Sequence, residues 1–117
     1  MTRFLLVALG GALGSTARYS VALLLAGATF PIWTLTVNLL GSLLIGLTME
    51  LVAATDLRLF LVTGILGGFT TYSAFNQETL QMLRSGMWGM AFMNAAGTLF
   101  GCLVAGFAGV MLARLVR

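Results

Sequence analysis

The sequence predicts an all-α membrane protein with four transmembrane helices in a single domain, residues 1–117, and three observations predict it. The first is composition. Of the 117 residues, 60% are hydrophobic and 8% are charged, against the roughly 25% charged residues of an ordinary soluble domain. Mean hydropathy is +1.06, and no soluble fold of this size hides so much apolar surface. The second is length: a bilayer core about 30 Å thick takes roughly 20 apolar residues per helical span, so the chain holds four spans with no room for a separate soluble domain. The third is the placement of Trp33 and Trp88, which open the second and fourth spans. A four-span topology puts both at one membrane face, where interfacial tryptophans belong.

The first span is predicted over 4–26. One arginine followed by an apolar run has the look of a secretory leader, but the run continues past Arg18 to Ala26 and three further spans follow, which predicts a first helix. Arg18 lies about 21 Å along that helix from Phe4. Two readings stand: the side chain snorkels to the nearer surface, or it lines a water-filled vestibule and attracts anions, as intramembrane charges mark ion pathways. The turn after it carries the only proline, Pro31, and connections this short make sequential helices antiparallel neighbours.

The second span, 33–53, places Thr34, Asn38 and Ser42 four residues apart on one helix face. An asparagine brings two donors and two acceptors into the membrane, so Asn38 needs partners, either on an ion path or as interhelical glue.

The third span, 59–83, has a polar centre. Thr70 falls about 16 Å from Leu59, half-way across a 30 Å core. Gly67-Gly68 beside Thr70-Thr71 is poor helix-forming sequence, and irregular backbone at that depth survives only where protein buries it or water reaches it. A helix break near the midplane is therefore predicted. Such a break offers carbonyl oxygens to a cation and amides to an anion; the alternative is a glycine kink satisfied by threonine hydroxyls. Tyr72 and Phe75 share a face after the break, either for packing or to present electropositive ring edges to a small anion. Glu50 and Glu78 lie towards helix ends, as solvated carboxylates or as part of a path.

The fourth span, 88–112, carries a matching polar stripe of Asn94, Thr98 and Cys102. Cys102 is the single cysteine, which excludes an intramolecular disulfide and a multi-cysteine zinc site and reads as a small packing residue. With no histidine, most metal sites and histidine-based triads are out. No clustered nucleophile, base and orienting group are present, so an enzyme is not expected.

Net charge is +3 from six arginines and three acids. The arginines are scattered, which excludes a nucleic-acid patch. Arg3, Arg58, Arg114 and Arg117 fall on the side of the termini and Arg84 on the other, favouring cytoplasmic termini by a margin small enough to leave insertion in both orientations open. Gly10/Gly14, Gly64/Gly68 and Gly97/Gly101 form G-x-x-x-G pairs, and Ser42/Gly46 has the same small-residue spacing. Such pairs let backbones approach closely, within one bundle or between subunits.

At these residues the sequence resembles the small bacterial fluoride channels known as Fluc or CrcB proteins. Gly10-Gly-Ala-Leu-Gly-Ser-Thr-Ala-Arg-Tyr19 resembles the family's GGxxGAxxRY, Thr36-Val-Asn-Leu-Leu-Gly41 its TxxVNxxG segment, and Gly64-Ile-Leu-Gly-Gly-Phe-Thr-Thr-Tyr-Ser-Ala-Phe75 its GxxGGxTTFSTF. The three keep order and spacing across nearly the whole chain. The resemblance implies a dual-topology antiparallel homodimer with two antiparallel fluoride pores and a structural sodium ion at its centre, held by the carbonyls of Gly67 and Thr70. It further implies a pore lined by Asn38, Tyr72, Ser73, Phe75, Asn94, Thr98 and Cys102, with Arg18 and Glu78 in the vestibule. Tyr72 stands where the family has phenylalanine, Ala74 where it has threonine, and Asn94 where tyrosine is more usual.

The expected function is passive, fluoride-selective export across the cytoplasmic (inner) membrane by a multi-pass protein. Its expected partners are fluoride, a second copy of the chain and membrane lipid, with no nucleic acid. A small multidrug exporter shares the length and span count but requires a first-helix glutamate, which this chain lacks. A purely structural subunit packed by its glycines is the non-transport alternative.

Overall fold

The computed structural model describes residues 1–117. Its elements are α1 (Thr2–Leu24), α2 (Ile32–Leu51), α3 (Thr55–Arg58), the π-helix π1 (Leu59–Leu66), α4 (Gly67–Phe69), α5 (Tyr72–Arg84) and α6 (Trp88–Val116). There is no strand. Helices α1, α2 and α6 are each long and apolar enough to cross a membrane. Where the sequence predicts the third span, the chain folds as two arms: α3, π1 and α4 form the first, and α5 the second.

The break falls between the arms. Thr70 (φ −79°, ψ 156°) and Thr71 (φ −150°, ψ 115°) are extended, as the glycine and threonine sequence predicted. The π-helical winding of 59–66 was not predicted, because a run of Leu, Val, Ile and Phe suits either winding. At its far end α5 closes in a Schellman motif. Gly86 takes φ 76°, the Met87 N–H donates to the Met82 carbonyl at 2.8 Å, and the Gly86 N–H donates to the Leu83 carbonyl at 3.1 Å.

Two close helix seams organise the bundle. Along the first, α1 lies on π1 and α4: a Cβ built on Gly10 would sit 2.6 Å from the Phe60 carbonyl oxygen, one on Gly14 would collide with the Ile65 carbonyl, and one on Gly68 would sit 2.6 Å from the Gly11 carbonyl oxygen. Gly10/Gly14 and Gly64/Gly68 are thus two halves of one intramolecular seam, the close backbone approach that small residues permit. Along the second, α2 meets α6, where Gly46 abuts the Gly106 carbonyl and Gly109 abuts the Leu43 carbonyl. Gly97 contributes to neither and faces open space.

Only 17 of 117 residues are buried, and they mix apolar Val37, Leu66, Phe69 and Met82 with four polar residues, while large apolar side chains crowd the surface. Thr34, Asn38, Thr71 and Asn94 are buried, while Phe4, Leu9 and Leu13 of α1 and Phe92, Phe100 and Phe107 of α6 are exposed. A hydrocarbon solvent accounts for that polarity, since buried polar groups pair internally and apolar side chains face lipid.

At the end of the bundle that holds the termini, Arg3 pairs with Asp56 at 3.0 Å, and Arg114 and Arg117 approach Glu50 at 3.1 and 3.8 Å. Glu50 is therefore an ion-pair partner rather than a free solvated carboxylate.

Candidate permeation groove at the helix break

Breaking a helix inside a membrane frees backbone groups that must find partners, and Asn38 of α2 supplies two. Its Nδ2 donates to the Thr71 carbonyl at 3.0 Å, and its Oδ1 accepts from the Thr71 N–H at 2.9 Å. Asn38 is 8% exposed, so this two-point clamp forms in a site nearly free of solvent. Thr71 then caps α5, its hydroxyl accepting from the Ala74 N–H at 3.2 Å and lying 3.3 Å from the Ser73 hydroxyl. A capping threonine in extended conformation is what the start of a helix requires.

Two carbonyls at the break differ in their commitments. In a continuous helix the Thr71 N–H would donate to the Gly67 carbonyl; here it turns to Asn38, so the Gly67 carbonyl loses that partner at an exposed position. The Thr70 carbonyl accepts from Arg18 Nη1 at 3.3 Å. Arg18 thus reaches inward to the break instead of snorkelling outward.

Beside the break runs a groove of about 890 Å³ between α2, α5 and α6, lined among others by Asn38, Ser42, Tyr72, Phe75, Thr98 and Cys102. The Tyr72 and Phe75 rings stand 5.5 Å apart, tilted by 55°, in the range of an edge-to-face pair. The Thr98 hydroxyl is buried without a hydrogen-bond partner. An orphaned buried hydroxyl in the wall of such a groove is one that a small polar species could satisfy.

Four residues that the sequence assigns to the pore and vestibule lie outside the groove. Ser73 points to the other side of α5, into a 540 Å³ recess shared with Asn76, Gln77, Gln81 and Arg84. Asn94 is 1% exposed and donates to the Thr79 hydroxyl at 2.9 Å, which makes it an interhelical tie in this chain. Glu78 accepts from the buried Thr34 hydroxyl at 2.6 Å, leaves its second oxygen buried without a partner, and borders a 380 Å³ cavity under the 25–31 turn; it is not a freely solvated carboxylate. Arg18 contacts the break from the α1 side.

The sequence reading missed Thr71 and Thr79 as structural partners. The available signal was that Asn38 and Asn94 each required partners, although spacing alone does not say which.

Residues 5–110 match the family described as CrcB-like protein, Camphor Resistance (CrcB). The fluoride-specific ion channel FluC of Sorangium cellulosum is 44% identical, covering 97% of this chain and 96% of the relative. The protein of the same name from Thermus thermophilus is 50% identical over 96% and 95% of the two chains, and that from Geobacter sulfurreducens is 45% identical over 97% and 98%. The chain therefore belongs to the CrcB family, a family of membrane-spanning ion channels and not of enzymes.

Proposed function

We propose that the chain is a passive, fluoride-selective channel of the cytoplasmic membrane that exports fluoride when it accumulates inside. The observation that carries this reading is the groove beside the break. It gathers Asn38, Tyr72, Phe75, Thr98 and Cys102 in a chain 44% to 50% identical to proteins named fluoride-specific ion channels.

Fluoride is small and strongly hydrated, so a selective path must replace its water with donors. Asn38 Nδ2 uses one hydrogen on the Thr71 carbonyl and keeps its second. The Thr98 hydroxyl has no other partner. The start of α5 at Tyr72 turns amides with partial positive charge towards the break, and the tilted rings add electropositive edges. No single donor in this set holds the ion alone, which suits conduction, because a channel must bind weakly enough to release. The Tyr72 hydroxyl adds a donor where the family has a bare ring and slows passage.

The assembly in this reading is a dual-topology antiparallel homodimer with two antiparallel pores. Support comes from polar surface that lipid covers poorly: the backbone of the exposed Gly67 and the exposed α5 face of Ser73, Asn76, Gln77 and Gln81. The arginine bias between the two ends is only a few charges, Arg3, Arg58, Arg114 and Arg117 against Arg84, which leaves both orientations open.

A structural sodium ion belongs to the same reading, held by the carbonyls of Gly67 and Thr70. The Gly67 oxygen, freed by the Asn38 clamp, fits an oxygen-preferring cation. The Thr70 oxygen shares its lone pairs with Arg18. Two carbonyls do not complete a coordination shell, and a second copy would double them. Such an ion would supply fixed positive charge near the groove.

The test is fluoride efflux from liposomes containing purified protein, with chloride as control and cross-linking to fix subunit orientation. Fluoride loss with chloride retained and antiparallel cross-links support the reading. Vesicles holding folded protein that keep their fluoride overturn it.

A further inference from the structure

Asn94 is the only side chain of α6 that hydrogen-bonds to α5, and the bond is the first step of a directed relay. Asn94 Nδ2 donates to Thr79 Oγ1 at 2.9 Å, and Thr79 Oγ1 donates to the Phe75 carbonyl at 2.8 Å. The hydroxyl accepts from one side and donates to the other, so both bonds polarise in the same sense. The relay ends on the backbone of a residue whose ring lines the groove.

Besides packing and the short Schellman-closed turn at its end, helix α5 has no other side-chain hydrogen bond to fix its rotation against α6. Its one buried side chain is Met82, and its other side-chain ties, Thr34 to Glu78 and Asn38 to Thr71, run to α2. On α6, Thr98 and Cys102 follow Asn94 at four-residue spacing and line the groove, with the Thr98 hydroxyl buried and unpartnered. One helix face therefore carries the anchor, one turn away from the groups that face the rings.

We infer that Asn94 is a positioning residue for selectivity: through Thr79 it sets the height and rotation of Phe75, and hence the gap between the Phe75 ring edge and the Thr98 hydroxyl, while itself touching no ion. The inference rests on the proposed fluoride path and adds to it how the width of that path is held. It also gives asparagine a role distinct from that of a larger side chain at this position, since the amide, 1% exposed, turns away from the groove to grip α5.

The test compares Asn94→Leu, Thr79→Val, the double variant and Thr79→Ser in liposomes, reading the fluoride-to-chloride flux ratio and the half-saturating fluoride concentration. Each of the first two lowers the flux ratio about threefold, the ratio that ~0.6 kcal/mol for one membrane hydrogen bond sets. The double variant falls no further than either single one, because both cut the same relay. Thr79→Ser keeps the hydroxyl and restores the wild-type ratio, which a change of bulk packing does not do. If Asn94→Leu does not assemble, Thr79→Val against Thr79→Ser carries the test alone. Wild-type selectivity in Thr79→Val, or additive losses in the double variant, overturns the relay while leaving the fluoride path intact. A wild-type protein that passes no fluoride overturns both.

Discussion

Replacing Asn38 with alanine removes both bonds of the clamp, at 3.0 and 2.9 Å, and leaves the Thr71 N–H and carbonyl unsatisfied at the break. A side-chain hydrogen bond inside a membrane protein contributes about 0.6 kcal/mol on average and up to about 1.7. Two of them give an expected loss of about 1–3 kcal/mol. The upper part of that range is favoured by burial, since Asn38 is 8% exposed and orphaned buried groups carry their full desolvation cost. The assay is reversible unfolding in mixed micelles followed by helical circular dichroism, with Asn38→Ala compared against wild type. A change below about 0.5 kcal/mol, the range of an ordinary surface substitution, would refute the clamp. The result also bears on function: loss of fluoride flux in Asn38→Ala does not by itself place Asn38 on the path, because the same substitution loosens the break that shapes the groove.

Thr98→Val separates the two effects. The Thr98 hydroxyl is buried and unpartnered, so its removal leaves stability unchanged or slightly raised, while fluoride efflux from liposomes falls severalfold; equal efflux would remove Thr98 from the path. Cys102 is the lone cysteine and lines the groove, so a small thiol reagent slows efflux and Cys102→Ser abolishes that sensitivity; block that persists in the serine variant would contradict the groove assignment. Gly14→Ala forces a methyl group onto the Ile65 carbonyl and destabilises the protein by about 1–3 kcal/mol in the same unfolding assay, whereas Gly97→Ala, inside α6 and meeting nothing within 4 Å inside the chain, leaves the stability of the isolated subunit unchanged or raises it by up to about 1 kcal/mol.

The break was legible because two independent signals coincided at one depth: weak helix formers at Gly67-Gly68 and hydroxyls at Thr70-Thr71. The α1 seam was legible for a similar reason, since G-x-x-x-G spacing occurs on both partners. The α2–α6 seam was legible only in part. The Ser42/Gly46 spacing marks Gly46, and a Cβ on Gly101 would sit 2.9 Å from Leu39 Cδ2, but Gly97 faces outward and Gly106 and Gly109, three apart, lack the four-residue spacing. Helix periodicity grouped Thr98 with Cys102 correctly. It also grouped Asn94 with them, yet the stripe turns from groove to helix contact within one turn, and only the position of Thr79 decides where. Ser73, next to Tyr72, sits roughly 100° around the helix from it, so its turn away from the groove was readable. The inward reach of Arg18 to the Thr70 carbonyl depends on tertiary packing that no local pattern encodes.

The central claim is passive, fluoride-selective conduction, and zero-current voltage in a planar bilayer tests it most directly. With fluoride and chloride gradients opposed across a membrane holding the purified protein, the account predicts a reversal potential near the fluoride equilibrium value, about 59 mV for a tenfold gradient. Reversal near the chloride value, or no current from folded and assembled protein, would contradict it.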